Sequence, residues 1–488
     1  MTFTMGAAFD VDLVHAPLAH WAQVRPDAIA ITDGDISLTF ADLNQAVQQR
    51  ASALSKAFAP ATVFVDDALS TLEQTVDFLG IIVSGRCAAV GDPDWPASLR
   101  DAVQASISQQ PYSSSDPTPT SPFYIGFTSG STGRPKGFQR NHQSWTNSFR
   151  VCVQEFGEDA AKRILAPGRF SHSLFLFGMM LGIWSGSGVV VQKRFSVARA
   201  LDALRDASLP SLVAVPSQLL LMIELATHRA LTPFDGVRLV MISGARWPRN
   251  RTPELQSLFP NARLIEFYGA SEMSFIAWME ANEATPPQVV GRPFRNVDIE
   301  IRDIQGSREK DASGAGLIYV RSPMLFMDYV GTKADITACL RDGEWLSVRD
   351  MGYLDDQGRL CLLGRQNRMI VTQAKKLFPE ELESVLQAHP SIAAASVHGL
   401  NDPLRGLLVV AVIHLVADPS LPPMTATQLT HWCRDRLEVF KAPRHYFVCD
   451  DWRWTASGKT DHNTLGSSLV HHMDGVPNEA LPCLHPLC

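Results

Sequence analysis

Apolar positions along the chain fall into two alternating patterns. Short apolar runs, Gly188-Val-Val-Val-Gln192, Leu212-Val-Ala-Val215, Leu239-Val-Met-Ile242 and Arg263-Leu-Ile-Glu-Phe267, are separated by longer stretches with helical spacing. Runs of that length bounded by turns read as buried strands. Their alternation with helices predicts a parallel sheet covered by helices. Upstream, residues 13–60 read as helix, short strand, helix. Thr39 is read as a helix N-cap, with Asp42 at capping-box spacing. Residues 74–85 predict a helix, 87–90 a buried strand ending in a turn, and 123–127 a further strand. The most apolar stretch, 174–191, is interrupted by glycines and serines. It predicts a buried helix followed by a strand rather than a membrane span.

From about 289 to 363 the pattern changes to short strands and turns, such as 297–301 and 316–320. A small β subdomain is expected there. A compact α+β unit is expected from 368 onward, with helices at 379–389 and 427–437 and a strand at 407–416. The tail beyond 467, with His471, His472 and three prolines, reads as poorly ordered. The fold class expected is therefore α/β. A large N-terminal domain (1–365) of parallel helix-covered sheets, with its β subdomain, precedes a smaller α+β C-terminal domain (366–488).

Size and charge narrow the function. A chain of 488 residues, 45% hydrophobic and 19% charged, exceeds what one core supports, so two or more domains are expected. A net charge of -7 argues against a nucleic-acid surface. Eight cysteines show no C-x-x-C spacing. They read as thiols of a reducing compartment, and a cytoplasmic location is expected. Residues 1–12 lack a basic start followed by an apolar run, so no signal peptide is expected.

The strongest chemistry lies in Phe127-Thr128-Ser129-Gly130-Ser131-Thr132-Gly133-Arg134-Pro135-Lys136-Gly137. Glycine permits sharp turns, and consecutive N–H groups in such a turn form an anion-binding concavity. Four hydroxyls add donors and Lys136 adds a positive charge. The stretch reads as a polyphosphate cradle. Its spacing is not that of the G-x-x-x-x-G-K-[ST] loop. Gly458-Lys459-Thr460 fails that pattern too, because the earlier glycine falls on Arg453. Ser243-Gly244-Ala245 ends a buried strand, at the strand end where open α/β sheets bind ligands. Glu266-Phe-Tyr268-Gly269-Ala-Ser271-Glu272 ends the next strand.

The glycine- and hydroxyl-rich stretch resembles the phosphate loop of the adenylate-forming superfamily: acyl-CoA synthetases, peptide-synthetase adenylation domains and luciferases. Further motifs resembling that family follow in order, over residues 15–466. The resemblance implies that Thr128, Ser129, Gly130, Ser131, Thr132, Gly133 and Lys136 hold ATP phosphates. It places Gly244, Ala245, Glu266, Tyr268 and Gly269 around the nucleotide, with Tyr268 stacked on adenine and Ser271 near the α-phosphate. Glu272 would hold Mg²⁺, a cation that suits one or two carboxylates plus phosphate oxygens. Asp350 would accept the ribose hydroxyls, although Val348 and Arg349 replace the usual Thr and Gly. Arg365 would reach ribose or phosphate. Asn367 would be the hinge of a mobile C-terminal domain. Ala374 and Lys375 would line the thiol tunnel, with alanine where the family has glycine. Lys459 would contact the substrate carboxylate and the α-phosphate.

His172, in Phe170-Ser171-His172, falls where the family has a gate beside the acyl pocket; by context alone it reads as a core histidine. Ser171 stands where α-amino-acid enzymes place a carboxylate on the substrate amine. An unpartnered buried ammonium is costly, so α-amino acids are disfavoured. Gly269 stands near where acetate-specific relatives carry a bulky aromatic, so a substrate larger than acetate is expected.

The activity implied is formation of an acyl-adenylate from ATP with release of pyrophosphate, then transfer to a thiol. CoA is the expected acceptor, with a fatty or other apolar acid as substrate. An aryl acid, or a free-standing carrier protein as acceptor, stays open. So does a non-catalytic nucleotide-binding protein, which the substitutions at 348, 349, 367 and 374 favour and the retained Lys136, Glu272 and Lys459 oppose.

Overall fold

The structure is a computed structural model. It describes residues 11–107, 116–128, 135–307, 314–330, 339–372, 375–402, 406–416, 424–455, 459–473 and 481–487. The chain divides into two compact units. One comprises residues 1–285, 290–299 and 320–348; the other comprises 286–289, 300–319 and 349–488.

The first unit opens with α1 (Ala16–Val24), the antiparallel strands β1 (Ile29–Asp33) and β2 (Ile36–Thr39), and α2 (Phe40–Lys56). The single strand expected here is thus a hairpin. Thr39 caps α2, and its exchange with Asp42 forms the expected capping box. Next come β3 (Thr62–Phe64), α3 (Thr71–Val83), β4 (Cys87–Ala89), α4 (Ala97–Ser106), β5 (Pro122–Thr128), β6 (Lys136–Asn141) and α5 (His142–Phe156). Strands and helices then alternate: β7 (Ile164–Ala166), α6 (Ser173–Trp184), β8 (Val189–Val191), α7 (Val197–Ala203), β9 (Ser211–Ala214), α8 (Pro216–His228), β10 (Leu239–Ile242), α9 (Thr252–Leu258) and β11 (Arg263–Ala270). β12 (Ser274–Glu280) and β13 (Val289–Pro293) follow.

The apolar runs seen in the sequence are the parallel strands. In space the order is β13-β12-β11-β10-β9-β7-β8-β1-β2, parallel from β11 to β1. Leu212, Ala214, Val240, Ile242 and Leu264 pack on one face against Leu219 and Met222 of α8 and Leu255 of α9. Helix α6, buried along nearly all its length, lies close enough to β7 and β9 that a side chain at Gly178 would touch Val213 and Ala166. A side chain buried on both faces must be apolar at every position, which is why these strands read as continuous runs.

Short strands dominate from 289 to 365, as expected: β14 (Asp298–Arg302), β15 (Gly316–Arg321), β16 (Asp328–Val330), β17 (Leu340–Asp342), β18 (Trp345–Ser347), β19 (Asp350–Leu354) and β20 (Leu360–Arg365). β16 completes a second sheet of the first unit, in the order β16-β6-β5-β4-β3. Residue 366, the expected start of the C-terminal domain, falls inside the second unit, at a short 3-10 turn, Gln366–Arg368.

The second unit continues with β21 (Ile370–Thr372), β22 (Lys375–Leu377), α10 (Pro379–Gln387), β23 (Ile392–Asp402), β24 (Gly406–Leu415), α11 (Ala426–Arg434), β25 (His445–Cys449), α12 (His462–Met473) and β26 (Leu484–Pro486). Successive β24 residues feed opposite cores. Val409, Ala411 and Ile413 join α10 and α11, whereas Val410 and Val412 join α12. Among the described residues, no helix is long and apolar enough to cross a membrane.

The tail corrects the sequence expectation. Helix α12 runs through Met473, and β26 pairs with β25, Cys449 opposite Leu484. The prolines concealed it. A proline is tolerated on an edge strand, and β26 is an edge. Its burial partner, Leu469, is too far along the sequence to be read as a local pattern. Leu484 is 3% exposed, so Leu484→Ala is expected to cost about 2–4 kcal/mol as a core truncation. Thermal or urea unfolding would detect this; a loss below about 0.5 kcal/mol would mean that the tail is loose surface.

Candidate active site

Two neighbouring strand ends frame the site in the first unit. β10 and β11 run parallel with Ile242 opposite Glu266. Ser243-Gly244-Ala245 therefore leaves the sheet beside Phe267-Tyr268 of β11, and Ser243 Oγ donates to the Phe267 carbonyl at 2.9 Å. Gly244 turns the chain at φ +90°, a conformation that disfavours any side chain. Tyr268 is half-buried and Ala245 exposed, so an aromatic ring stands beside small residues at the strand ends.

Gly269 has a structural reason that its sequence position did not reveal. β11 and β12 are irregular between Tyr268 and Gly269, and a Cβ at 269 would collide with the Ser274 carbonyl. The glycine is required by the crossing of two strands, whatever else it leaves open.

The turn between those strands carries Ser271 and Glu272. Glu272 is buried at 8% exposure. Tyr329 Oη donates to its Oε1 at 2.7 Å, and the Phe326 N–H donates to its backbone carbonyl at 2.7 Å. Arg140, 1% exposed, spans the turn from beneath. It donates to the Ser271 carbonyl at 2.7 Å, Ser274 Oγ at 2.7 Å, the Met324 carbonyl at 2.6 Å and Ser144 Oγ at 3.2 Å. Burial drags the guanidinium down to about 9, while Glu272 and Tyr124 favour its cation. Ser274 sits at φ +57°, an uncommon conformation for serine, and the bond from Arg140 holds it there.

Arg140 lies on the strand that begins at Lys136. Lys136 faces Thr128 across β5 and β6. Lys136 and Arg140 are four residues apart on one strand, so they share its face. Ser129, Gly130, Ser131, Thr132 and Gly133, the rest of the expected phosphate cradle, lie outside the described residues.

Glu266 is occupied. It forms a buried pair with Arg249 at 3.2 Å, and Arg249 also donates to the Thr285 carbonyl at 3.0 Å. His172 is half-buried and caps α6, its Nδ1 accepting from the Leu174 N–H at 3.3 Å. The preceding Arg169, Phe170 and Ser171 line a cavity with apolar walls (Val65, Val90) and two further cations, Lys193 and Arg194.

The remaining expected residues belong to the second unit. Asp350 is buried opposite Arg365 across β19 and β20, with the two 3.2 Å apart. Arg349, where the resemblance expects glycine, adopts φ +67°. The backbone thus keeps a glycine-like turn despite the substitution. Arg349 bonds Gln366 Oε1 at 3.1 Å, which helps to hold that conformation. Asn367 is exposed in the 3-10 turn. Lys375 is exposed on β22, with Nζ 4.7 Å from the Phe440 ring, and Ala374 lies outside the described residues. Lys459 is exposed in a hairpin closed by Thr455, whose N–H donates to the Lys459 carbonyl at 2.7 Å.

Sequence reasoning missed Arg140, Arg249 and Tyr329. Each acts by holding a motif residue or its turn, and each lies on a different element from that motif. No local signal marked Arg140: its strand reads Lys-Gly-Phe-Gln-Arg-Asn, a polar run in which only Gly137, Phe138 and Arg140 itself are buried.

Comparisons with known proteins bear on the family and the fold. The family model described as AMP-binding enzyme matches residues 63–330, and that of the AMP-binding enzyme C-terminal domain matches residues 381–459. An uncharacterized acyl-CoA ligase of Bacillus subtilis (strain 168), YhfT, is 37% identical over 374 residues, 75% of this chain and 73% of that protein. A putative long chain fatty acid-CoA ligase of Staphylococcus aureus (strain MRSA252), VraA, is 26% identical over 94% of this chain and 99% of that protein. Among solved structures, O-succinylbenzoate coenzyme A synthetase from Bacillus subtilis in complex with AMP superposes with a TM-score of 0.79. It is 22% identical and covers 92% of this chain and 97% of that one.

Replacing Arg140 by methionine strands the carbonyls of Ser271 and Met324 without donors. The expected loss is on the order of 3 kcal/mol, at about 1–3 kcal/mol for each buried unpaired acceptor. Thermal unfolding would measure it, and an unchanged midpoint would contradict the bracing of this turn by Arg140.

Proposed function

The chain belongs to the family of AMP-binding enzymes, and from that premise we propose that it activates a carboxylic acid with ATP and passes the acyl group to a thiol. The carboxylate attacks the α-phosphorus of ATP, pyrophosphate leaves, and the thiol, CoA in this reading, then displaces AMP from the acyl-adenylate. The observation that carries the reading is the juxtaposition at the ends of β10 and β11. A half-buried Tyr268 stands beside Gly244-Ala245, with the buried Glu272 turn directly after it.

Two anions must meet in the first step, so fixed positive charge governs the rate. Lys136 and the 129–133 segment take the role of phosphate cradle, and Tyr268 stacks on adenine beside Ala245. Asp350 and Arg365, already paired across one hairpin, hold ribose. Glu266 supports the nucleotide indirectly, through the strand end that its pair with Arg249 fixes. Glu272, a buried single carboxylate, would hold Mg²⁺, a cation that suits one or two carboxylates beside phosphate. Among the described residues no cluster of three metal-ligating side chains stands ready-made. When bound, Mg²⁺ supplies charge neutralisation at the phosphates. Tyr329 keeps the carboxylate aimed, and Lys459 neutralises the charge that develops between carboxylate and α-phosphate.

Residues 366–488 then act as the mobile part, with Asn367 as hinge and the Ala374-Lys375 segment serving the thiol step. The acid is larger than acetate and apolar, fatty or aryl. Its support is Phe175, whose ring lies 5.2 Å from that of His172, with the buried Phe170 and Phe177 beside them in sequence; His172 takes the role of gate. Lys193 and Arg194 suit a phosphorylated thiol carrier, whereas Arg169 is already held by Asp92 and Asp94. A cytoplasmic site of action follows from these substrates.

The test is acid-dependent pyrophosphate release over aliphatic acids of several lengths and several benzoates, with and without CoA. One acid class is expected to turn over, faster with CoA. Lys459→Ala should lower release by about 100-fold or more, the scale of losing one charge-stabilising donor. Release without any thioester would redirect the acceptor to a carrier protein. Bound ATP with no release for any acid would reject catalysis.

A further inference from the structure

The second unit contains a polar network that no step above uses. Ser396 Oγ, buried on β23, lies 2.8 Å from His398 Nε2 and 2.7 Å from His462 Nδ1. His462 Nδ1 also lies 3.3 Å from Arg368. Arg368 is itself held by Glu383 at 2.6 Å and Glu380 at 3.1 Å, and Glu383 accepts from the Val397 N–H at 2.8 Å. Burial, then the charge of Arg368, pushes both histidines down to about 3, so both are neutral near neutral pH.

Donor and acceptor capacity gives the network a direction. Arginine only donates, so His462 Nδ1 accepts from Arg368 and carries its proton on Nε2. Ser396 has one proton and gives it to His462, so it accepts from His398 Nε2–H. The single lone pair of His462 Nδ1 is thus taken by Ser396 Oγ at 2.7 Å and shared, at the longer distance, with Arg368.

The two ends of this network are the two segments that the mechanism needs to move together. Arg368 closes the turn that contains Asn367. His462 is three residues past Lys459 and opens α12. Between them the lysine hairpin is tightly closed. Lys459 N–H donates to Thr455 Oγ1 at 3.1 Å, Trp454 bridges to Thr460, and the Asp461 N–H donates to the Arg453 carbonyl at 2.9 Å. Asp461 then accepts from the Thr464 N–H at 3.1 Å, at the start of α12. One turn on, Gly466 lets the helix approach His398; a Cβ there would stand 3.1 Å from its ring.

We infer that His462 is a positioning residue: through Ser396 and Arg368 it ties the stem of the Lys459 hairpin to the hinge segment. The inference rests on the role given to Lys459 above. Leu465 and Leu469 are fully buried, so α12 stays docked without the histidine. What its loss frees is the hairpin stem, and therefore the aim of Lys459.

The test separates the two half-reactions in the full chain. Acid-dependent pyrophosphate release reports adenylation, and CoA thioester formed from a synthetic acyl-adenylate reports transfer. His462→Ala and Ser396→Ala are each expected to lower the adenylation kcat about 10-fold or more, since small misplacements are costly, with KM for ATP and the transfer step little changed. His462→Asn, whose carboxamide oxygen takes the place of Nδ1, should restore most of the rate. Equal losses in both half-reactions, tracking a lowered Tm, would overturn the inference in favour of a purely structural network. Unaltered adenylation in His462→Ala, beside a dead Lys459→Ala, would overturn it as well. Intact adenylation in Lys459→Ala would instead reject the role of the lysine itself. Should His462→Ala fail to fold, Ser396→Ala carries the same test, because it removes the link and leaves α12 untouched.

Discussion

A guanidinium taken fully out of water organises the candidate site. Arg140 has no route to solvent, and a charge in that position is tolerated only when its donors are matched. Its partners are the Ser271 carbonyl, two serine hydroxyls and the Met324 carbonyl. They come from three separate segments of the first unit. Satisfying one side chain therefore fixes the turn at 271–274, the loop at 324 and the helix that starts at 142. Glu272 and Tyr329 fall into register as a consequence.

The same device recurs with different groups. Glu266 and Arg249 close the β11 end as a buried pair, and Arg368 gathers two glutamates and a histidine in the second unit. Such pairs are not efficient sources of stability, because desolvation offsets much of their attraction. Their value lies in geometry. An apolar contact tolerates sliding by a fraction of an ångström, whereas a guanidinium with four directed bonds does not. A chain whose proposed site presents a carboxylate and a tyrosine at set places gains more from directed bonds than from further apolar area.

Local patterns made much of this legible. The parallel strands stood out because burial on both faces forces apolar residues at every position. The capping box at Thr39 and the helix-then-strand pattern of 174–191 were local facts, and local facts survive folding. The motif residues at 244–245, 266–272, 350 and 459 could be named because, in that order and spacing, they resemble the motifs of one family; residue type alone would have left Glu266 and Gly269 to the structural reasons they also have. The tail was misread for the opposite reason. Leu484 and its partners Trp452 and Leu469 are joined only by the fold, and the prolines around them carried the stronger local signal.

By itself the sequence determined the class of fold and most of the order of its elements, since both depend on periodicity and on side chains a few positions apart, and its motifs were enough to name the candidate site residues by resemblance. Tertiary structure alone decided how those residues are held. It gave Glu272 its tyrosine, Glu266 its arginine, Gly269 its collision with Ser274 and His462 its place between Ser396 and Arg368. Each of these is a pairing across many residues of chain. Directed bonds and steric exclusion act through space, and nothing in the spacing of a sequence records which distant group will arrive.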